Sequence, residues 1–270
     1  KIKIKNIVLS GGLFANVKLN QKIHELDNVD FVYIHPHMGD GGLSMGAALF
    51  LQNKFRYHNK KLNTVYFGNE YSNDEIKKVL DEHKLKYKRY KNIEYEIAKL
   101  LTKGKVIARF NGPMEYGPRA LGNRSILYQA TNPSVNDWLN KRLKRTEFMP
   151  FAPVTLKEHA SKNYNEMKGA EYASKFMTLT FDCSKIMKKN CPAVVHIDNT
   201  ARPQIISKEE NISYYNILKE YYKLTKLSTI VNTSFNIHEE PIVCTPKDAI
   251  KSFEQGHLDY LAIGNFIIQN

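Results

Sequence analysis

The sequence predicts a mixed α/β fold, mainly because of the order of its apolar and glycine-rich stretches. Short apolar strands alternate with glycine turns and helices at the amino terminus, a pattern typical of α/β proteins. Amphipathic helices and β-branched strands follow to the carboxy terminus, without repeats or low-complexity tracts. With 270 residues the chain can form one large domain or two smaller ones around a buried core.

The first part, from Lys5 to Leu51, is predicted as strand, glycine turn, helix, strand, glycine turn and helix. Its successive strings are "NIVLSGG", "LFANVKLNQKIHEL", "DFVYIHP" and "MGDGGLSMGAALFLQ". The polar stretch of residues 53–63 comes next and is typical of a linker. We therefore divide the chain into residues 1–58 and residues 59–270.

The second part is predicted to mix amphipathic helices with apolar strands. A helix from Ser72 to His83 is followed by helices in "IEYEIAKLLTKG", "VNDWLNKRLKR", "ISYYNILKEYYKLT" and "TPKDAIKSFEQG". Strands are predicted in "KYKRYKN", "KVIARF", "MTLTFDC", "AVVHID", "STIVNTSFN" and "YLAIGNFII". The last string forms either one strand or a strand pair.

Composition limits the class of protein. Hydrophobic residues make up 42% of the chain, a share typical of globular proteins. No apolar run reaches the roughly 18 residues that a membrane helix needs. The basic start "KIKIKNIVLSGG" has a brief apolar part and is interpreted as a strand, not a secretory signal. The three cysteines show no CxxC pair, which disfavours disulfides and zinc and indicates a cytoplasmic protein.

The formal charge of +13 indicates anionic ligands or partners. A solvated lysine surface accounts for most of this charge, and a nucleic-acid-binding face is the less favoured alternative. Six of the eight arginines lie between positions 109 and 202. Because the planar guanidinium group binds phosphate well, this clustering indicates an anion-binding site more specifically than the net charge does.

The stretch "NGPMEYGPRALGNRS" (residues 111–125) is predicted to be a rigid loop, since glycine recurs every five residues and proline follows the first two. Arg119 and Arg124 can reach inward from it and form a clamp for phosphate or a planar carbamoyl group. Glu115 could orient an arginine, and Asn123 and Ser125 add neutral donors. The alternative is an ion pair that ties the loop to the core.

Two further stretches carry arginine. In "LNKRLKRTEFMPFAPV", Arg142 and Arg145 share a helix face, as do Lys141 and Lys144, which could also be a solvated face. In "HIDNTARPQ", Arg202 precedes a proline, so its backbone is expected to be extended. For His196 in the same string, core packing is favoured over a role as a ligand.

The string "VNTSFNIHEEPIV" places short polar side chains at the end of a β-branched strand. Asn232, Thr233, Ser234 and Asn236 could form an anion or nucleotide pocket, or simply a turn. No base is placed to make Ser234 a nucleophile, so a Ser-His-Asp triad is not predicted.

The two glycine turns of the first part could let a backbone approach a ligand, or could be tight turns with close helix packing. Gly11, Gly12 and Asn16 belong to "SGGLFANVKLN", and Gly41 follows Asp40 in "GDGGLSMGAAL". The Asp40 carboxylate could hold a metal or a ribose hydroxyl, or could cap the next helix.

Together these strings resemble one family. "SGGLFANVKLN", "GDGGLSMGAAL", "EYGPRALGNRSIL", "PFAPV", "TARPQ" and "NTSFNIHEEPIV" occur in the order seen in the nodulation-protein/cephalosporin carbamoyltransferase family (NodU/CmcH). The resemblance covers nearly the whole chain, and "GPRALGNRS" and "NTSFN…EPIV" are its most specific parts.

The resemblance implies a YrdC-like twisted-sheet domain over residues 59–270, preceded by the end of an actin-like, sugar-kinase-like α/β segment over residues 1–58. The YrdC-like domain makes carbamoyl-adenylate from carbamoyl phosphate and ATP, and the actin-like domain transfers the carbamoyl group to a small-molecule or sugar hydroxyl. The residues expected to line the adenylate pocket are Arg119, Arg124, Lys144, Arg145, Arg202 and Ser234. The expected ligand-contacting residues are Gly11, Gly12, Asn16, Gly41, Glu115, Asn123, Ser125, Asn232 and Thr233.

The resemblance also implies that Asp40 is the metal-binding aspartate of the transfer site. The family's metal-binding histidine pair comes earlier in its chain, so iron or magnesium is expected only together with that missing region. We expect a carboxy-terminal fragment, or one half of a split enzyme that meets the amino-terminal region in cis or in trans; a homodimer is a further expectation. Pro113 replaces a basic residue that the family often has, which removes one expected phosphate contact.

Two other classes of protein remain as alternatives. YrdC-like domains also serve threonylcarbamoyl-tRNA synthesis, so an RNA-binding module is one, and its affinity would fall steeply with salt. A non-catalytic docking subunit is the other. No membrane association is expected.

Overall fold

The structure, a computed structural model, describes residues 4–55, 62–144 and 151–270. Residues 4–55, called the amino-terminal segment below, contain β1 (Asn6–Leu9), α1 (Val17–His24), β2 (Phe31–Ile34) and α2 (Leu43–Phe55). β1 and β2 pair in parallel, with Asn6 opposite Phe31. The predicted order of strands and helices is therefore confirmed for this segment.

An eight-stranded mixed sheet organises the remaining residues. Its strands are β3 (Tyr87–Arg89), β4 (Ile107–Phe110), β5 (Arg124–Gln129), β6 (Ala152–Leu156), β9 (Gln204–Ile206), β10 (Thr229–Ser234), β11 (Tyr260–Ile263) and β12 (Phe266–Gln269). The spatial order is β3-β12-β11-β4-β5-β10-β6-β9, and only β11–β4 and β6–β9 pair in parallel. A small antiparallel pair joins β7 (Phe181–Asp182) to β8 (Thr200–Ala201).

Helices cover both faces of the large sheet. They are α3 (Asn73–Glu82), α4 (Ile93–Thr102), α5 (Val135–Arg142), α6 (Ala160–Asn163), α7 (Lys185–Asn190), α8 (Ile212–Thr225) and α9 (Pro246–Gln255). α4 and α8 pack on one face, around a core that includes Ile97, Leu218 and Ile230. α3, α5 and α9 pack on the other face, which also receives Val32 and Ile34 of β2. Because helices cover both faces of the sheet, β4, β5 and β6 contain almost no exposed side chains.

Most predicted helices and strands are confirmed. Ser72 caps α3 with a full capping box, and Pro246 begins α9, as their sequences indicate. The terminal string forms the β11–β12 hairpin. The mixed α/β fold class is thus confirmed. Residues 56–61 of the predicted linker lie outside the described residues, and α2 extends into its start.

One strand prediction is wrong and another is confirmed only in part. "AVVHID" begins as a short 3-10 turn at Pro192–Val194, where proline fixes φ and lacks a ladder N–H, and Ala193 donates to Ala130 in a loop contact. "MTLTFDC" contributes only β7, because Met177 adopts the left-handed conformation at φ 56°. Neither backbone feature can be seen from apolar content alone.

Among the described residues, the helices are too short to cross a membrane. α8, with 14 residues, falls well below the roughly 20 residues that a crossing requires, and no described helix has the needed length and apolarity.

Candidate anion-binding site

The loop between β4 and β5 is built around one buried carboxylate. Glu115 Oε1 accepts the backbone N–H groups of Leu121, Asn123 and Arg124, at 2.8, 2.7 and 3.2 Å. The sequence suggested that Glu115 orients an arginine; the hydrogen bonds instead go to the backbone. The carboxylate still lies near enough to Arg124 to favour its charged form. Glu115 therefore fixes the curvature of the loop from its inside.

Arg124 belongs to the frame of this loop. Its guanidinium donates to the carbonyls of Asn111, Gly112, Asn123 and Asn69, at 2.9–3.1 Å. It also stacks 3.7 Å from the centre of the Phe110 ring. Burial lowers the pKa of Arg124 to about 10. Both Nη atoms of Arg124 are thus used by carbonyls, while its buried Nε has no partner among the described residues. We assign Arg124 mainly to support of the loop, and its predicted role as a ligand clamp stays a prediction.

Asn123 and Ser125 also hold the loop. The Asn123 amide donates to the Pro113 carbonyl at 2.7 Å, and its oxygen accepts from Asn211 at 2.9 Å. Ser125 Oγ accepts the Gly122 N–H at 2.9 Å. Both side chains are buried; the Asn123 amide donates within the protein, while Ser125 acts in this contact as an acceptor.

The neighbouring strands complete this frame. Asn232 on β10 donates to the Ala120 carbonyl at 3.2 Å and to Gln204 at 2.9 Å, and Gln204 on β9 donates to the Leu121 carbonyl at 2.9 Å. Thr233 and Ser234 are half-buried at the end of β10, where Ser234 lies opposite Ser125 in the antiparallel register. The string "NTSF" thus lies beside the loop.

Arg119 and Arg202 approach each other from separate loops. Burial and then the charge of Arg119 lower the pKa of Arg202 to about 9, and burial also lowers the pKa of Arg119. Both groups stay protonated at neutral pH, so two buried positive charges lie close together. Among the described residues, no carboxylate forms an ion pair with either guanidinium.

Each of these two arginines also has one donor atom without a hydrogen-bond partner among the described residues. Arg119 Nε and Arg202 Nη1 are buried, and neither has a hydrogen-bond partner among the described residues. Buried charged donors without partners are costly, and an anion bound between them would satisfy both. The arrangement can therefore bind a phosphate, a carboxylate or a carbamoyl group.

His196 lies next to this pair and was interpreted from the sequence as a packing residue. Its Nδ1 is 3.3 Å from Thr200 Oγ1, and its side chain is half-buried. Burial, together with the charge of Arg202, lowers its pKa, so the ring is neutral at pH 7. The signal in the sequence was its position six residues before Arg202 in one loop.

Lys144 and Arg145 follow α5. Lys144 is exposed in the left-handed conformation at φ 56°, and the preceding Leu143 carbonyl accepts the N–H of His238. The end of α5 is thereby joined to the loop after β10. Arg145 lies outside the described residues.

The glycine turns form contacts within the amino-terminal segment. Gly11 donates its N–H to Met38, and Asn16 caps α1 by accepting from Lys18 and Leu19. Gly41 packs on His37, since a Cβ there would lie 2.0 Å from its ring. These contacts fit tight turns with close packing, the alternative left open by the sequence.

Asp40 is exposed at the start of a short 3-10 turn. The described residues contain no group of three His, Cys, Asp or Glu side chains that could hold a metal ion. Asp40 alone therefore does not fit a resident iron or magnesium, and no chemical step is assigned to a metal.

A large cavity lies apart from the arginine pair. It measures about 850 Å³ and is lined by residues that include Phe31, Tyr164, Met167 and Lys175, with neither arginine among them.

The fold and this cationic site define an α/β protein with a candidate site for an anion. Comparison with known families then specifies it. Residues 98–270 match the family described as "Carbamoyltransferase C-terminus", and residues 1–49 match "Carbamoyltransferase N-terminus". The chain belongs to the carbamoyltransferase family, which confirms the family that its motifs resemble.

The chain is similar to several curated proteins of about twice its length. An uncharacterized protein of Methanocaldococcus jannaschii is 40% identical, over 98% of this chain and 51% of that protein. Nodulation protein NolO of Bradyrhizobium diazoefficiens is 32% identical, over 97% and 49%. Nodulation protein NolNO of Sinorhizobium fredii is 31% identical, over 98% and 40%. The chain thus spans about half the length of these relatives.

Among solved structures, full-length HypF in the phosphate- and nucleotide-bound form matches 69% of this chain and 22% of that chain. The sequence identity is 18% and the TM-score 0.44, so this likeness carries no functional argument.

Proposed function

We propose that this chain provides the donor-activating part of a carbamoyltransferase. Carbamoyl phosphate and ATP would give carbamoyl-adenylate, with one water consumed and phosphate and pyrophosphate released. The carbamoyl group would then pass to the hydroxyl of a small molecule or sugar. Membership of the family supports the class of reaction.

The observation that carries this proposal is the unbalanced pair Arg119 and Arg202. Arg119 Nε and Arg202 Nη1 are buried without a partner in the part of the chain that the structure describes, and the charge of Arg119 lowers the pKa of Arg202. Carbamoyl phosphate and ATP together bring several negative charges to one place, which such a pair would neutralise. Because other residues fix the loop in advance, the donors need not reorganise as charge develops in the reaction.

We place Thr233, Ser234 and Lys144 at the rim of the same site, with Arg145 proposed there from the sequence alone. Ser234 ends β10 beside the arginine loop, and Lys144 extends from a helix joined to the loop after β10. These side chains would contact the phosphates or the nucleotide. The acceptor, by contrast, would bind elsewhere.

Complete transfer would need residues beyond those described. α2 supports this part of the proposal, because none of its 13 residues is buried, and Phe50 and Phe55 are 71% and 78% exposed. A parallel pair such as β1–β2 is also usually buried on both faces, yet Val8 is 72% exposed. We propose that a further carbamoyltransferase region, in cis or in trans, covers this surface and completes the transfer site.

We also propose that the protein works in the cytoplasm. All three cysteines are free. Burial raises the pKa of both Cys183 and Cys191 to about 12, so these two remain inert thiols.

Isothermal calorimetry tests the proposed donor site. We expect the 270-residue chain to bind ATP or carbamoyl phosphate, and Arg202→Ala to weaken binding at least about tenfold, because charged hydrogen bonds to phosphate are lost. The exposed Arg89→Ala removes the same charge far from the pair and serves as the control. Pyrophosphate release with both ligands present would report the adenylate step. Wild-type affinity in Arg202→Ala would refute the assignment.

A further inference from the structure

We infer that the amino-terminal segment is a structural part of the donor site, because it holds both arginine-bearing loops in place. His35 holds the loop of Arg119 through Tyr116, and Lys18 holds the loop of Arg202 through Asp198. These are positioning residues, and the inference rests on the proposed function of the arginine pair.

The first contact lies three residues before Arg119. The Tyr116 hydroxyl is 3.1 Å from His35 Nε2, and its ring centroid lies 5.3 Å from that of His37. The backbone is close as well: a Cβ on Gly117 would lie 3.0 Å from the Pro36 carbonyl oxygen. The segment after β2 therefore packs directly on the rigid loop that presents Arg119.

His35 contacts two tyrosine hydroxyls. Its Nδ1 lies 3.3 Å from the Tyr33 hydroxyl, and its Nε2 lies 3.1 Å from that of Tyr116. The Tyr33 ring stacks on that of Tyr172, with centroids 5.4 Å apart, and Tyr172 donates its hydroxyl hydrogen to the Leu62 carbonyl.

This series of contacts connects Tyr116 to Tyr172 through His35 and Tyr33. Burial, and then the charge of His37, lower the pKa of His35 and favour its neutral ring, which can accept a hydrogen bond from the Tyr116 hydroxyl. Because Leu62 and Tyr172 lie outside the amino-terminal segment, the segment is linked to the large-sheet region on both sides of His35.

The second contact lies four residues before Arg202. Lys18 Nζ is 2.8 Å from Asp198 Oδ2, while Asp198 Oδ1 accepts both the hydroxyl and the N–H of Thr200. Although desolvation opposes it, these hydrogen bonds hold the pKa of Asp198 below its usual range. The ion pair thus fixes the loop and occupies the Asp198 carboxylate, whose charge acts on His196.

The helix that carries Lys18 is itself firmly docked. Asn20 is buried, and its amide donates to the Thr178 carbonyl and to the Phe14 carbonyl, both at 2.7 Å. Gln21 accepts from Thr180 Oγ1 at 2.7 Å and from Lys18 at 3.2 Å. Because α1 is held in place, the ion pair of Lys18 with Asp198 restrains the position of the loop that carries Asp198.

Calorimetry with ATP and with inorganic phosphate tests the inference on the complete chain. We expect Tyr116→Phe and Lys18→Met each to weaken binding by about 3- to 10-fold, the scale of one hydrogen bond. Tyr87→Phe and Lys77→Met are matched controls, since Tyr87 and Lys77 both bond to Asp81 at 2.7 Å, away from the arginines. Lys77 and Asp81 are about as exposed as Lys18 and Asp198. Thermal midpoints should shift alike in Lys18→Met and Lys77→Met.

Asp198→Asn separates positioning from a simple effect of charge. If only the electric field mattered, loss of this negative charge would strengthen anion binding; positioning predicts weaker binding. The inference would be overturned if Tyr116→Phe bound with wild-type affinity and Asp198→Asn bound more tightly. If Arg202→Ala were still impaired in that case, the proposed function would stand. A wild-type chain that binds neither probe would remove both.

Discussion

Arg119 and Arg124 stand five positions apart in one motif, yet their side chains have different surroundings. Arg124 is fully buried and both its Nη atoms donate to backbone carbonyls, whereas Arg119 lies close enough to Arg202 for its charge to lower the pKa of Arg202. The buried Nε of each of the two arginines has no partner among the described residues. The residue type alone could not have shown that one guanidinium is held by the loop backbone and that the other lies beside a second cation.

Arg124→Met tests this division at the level of one residue. We expect a loss of about 2–4 kcal/mol in the free energy of unfolding, because four carbonyls lose a charged donor. Urea denaturation at neutral pH would measure it. The exposed Arg89→Met, which should change stability by less than about 0.5 kcal/mol, is the control. Equal midpoints for the two variants would show that Arg124 does not support the loop.

At the level of whole elements, α8 and the arginine loop fit together through one glycine. Gly122 has a φ of +115°, and a Cβ there would lie 2.1 Å from the ring of Tyr214, in the first turn of α8. Asn211, which caps α8, also bonds to Asn123 in the loop. The start of α8 and the end of the loop are therefore one packed unit.

Gly122→Ala should disrupt that unit. We expect a loss of more than about 2 kcal/mol in stability, because neither the backbone conformation nor the Tyr214 ring tolerates a methyl group. Gly46→Ala in α2 is the matched control, since a Cβ there meets nothing within 4 Å. Without such a clash, alanine should be neutral or stabilise α2 by up to about 1 kcal/mol. Chemical denaturation of both variants gives the comparison, and a stable Gly122→Ala would contradict the packing described.

Elements with strong local signals could be predicted from the sequence, and weakly marked ones could not. The helices α3 and α9 carry caps, acidic first turns and apolar faces, and their predicted ends agree closely with the structure. β5 and β9 were not predicted. β5 is a central strand buried on both faces, so its sequence lacks the alternation of apolar and polar residues that marks a half-exposed strand. β9 has only three residues, too few for a clear pattern. The string "AVVHID" shows the converse error, in which apolar content suggested a strand that proline prevents.

On the scale of the whole molecule, the site depends on contacts that no local pattern records. Through the family motifs, the sequence predicted one site for the loops of Arg119 and Arg202, which are 83 positions apart, and the charge of Arg119 does act on Arg202. It did not indicate that His35 and Lys18 would hold those loops, since both contacts depend on how the amino-terminal segment docks. Motifs therefore predict which residues meet, whereas tertiary packing decides what supports them.

Those interfaces should also make the stability of the whole molecule depend on pH. Burial lowers the pKa of His35 and of His196, helped by His37 in the first case and by Arg202 in the second. In the unfolded chain both rings return to about 6.5. As the pH falls below about 7, the unfolded chain therefore binds more protons than the folded one, and stability decreases.

We expect the free energy of unfolding to be fully retained above about pH 7 and to fall between about pH 7 and 5.5, above the range where most carboxylates titrate. Urea titrations at several pH values should give a smaller slope for the double variant His35→Gln/His196→Asn. Inorganic phosphate should also flatten the wild-type slope, because an anion at the arginine pair favours a protonated His196. Equal slopes for wild type and the double variant would show that these rings do not couple folding to pH.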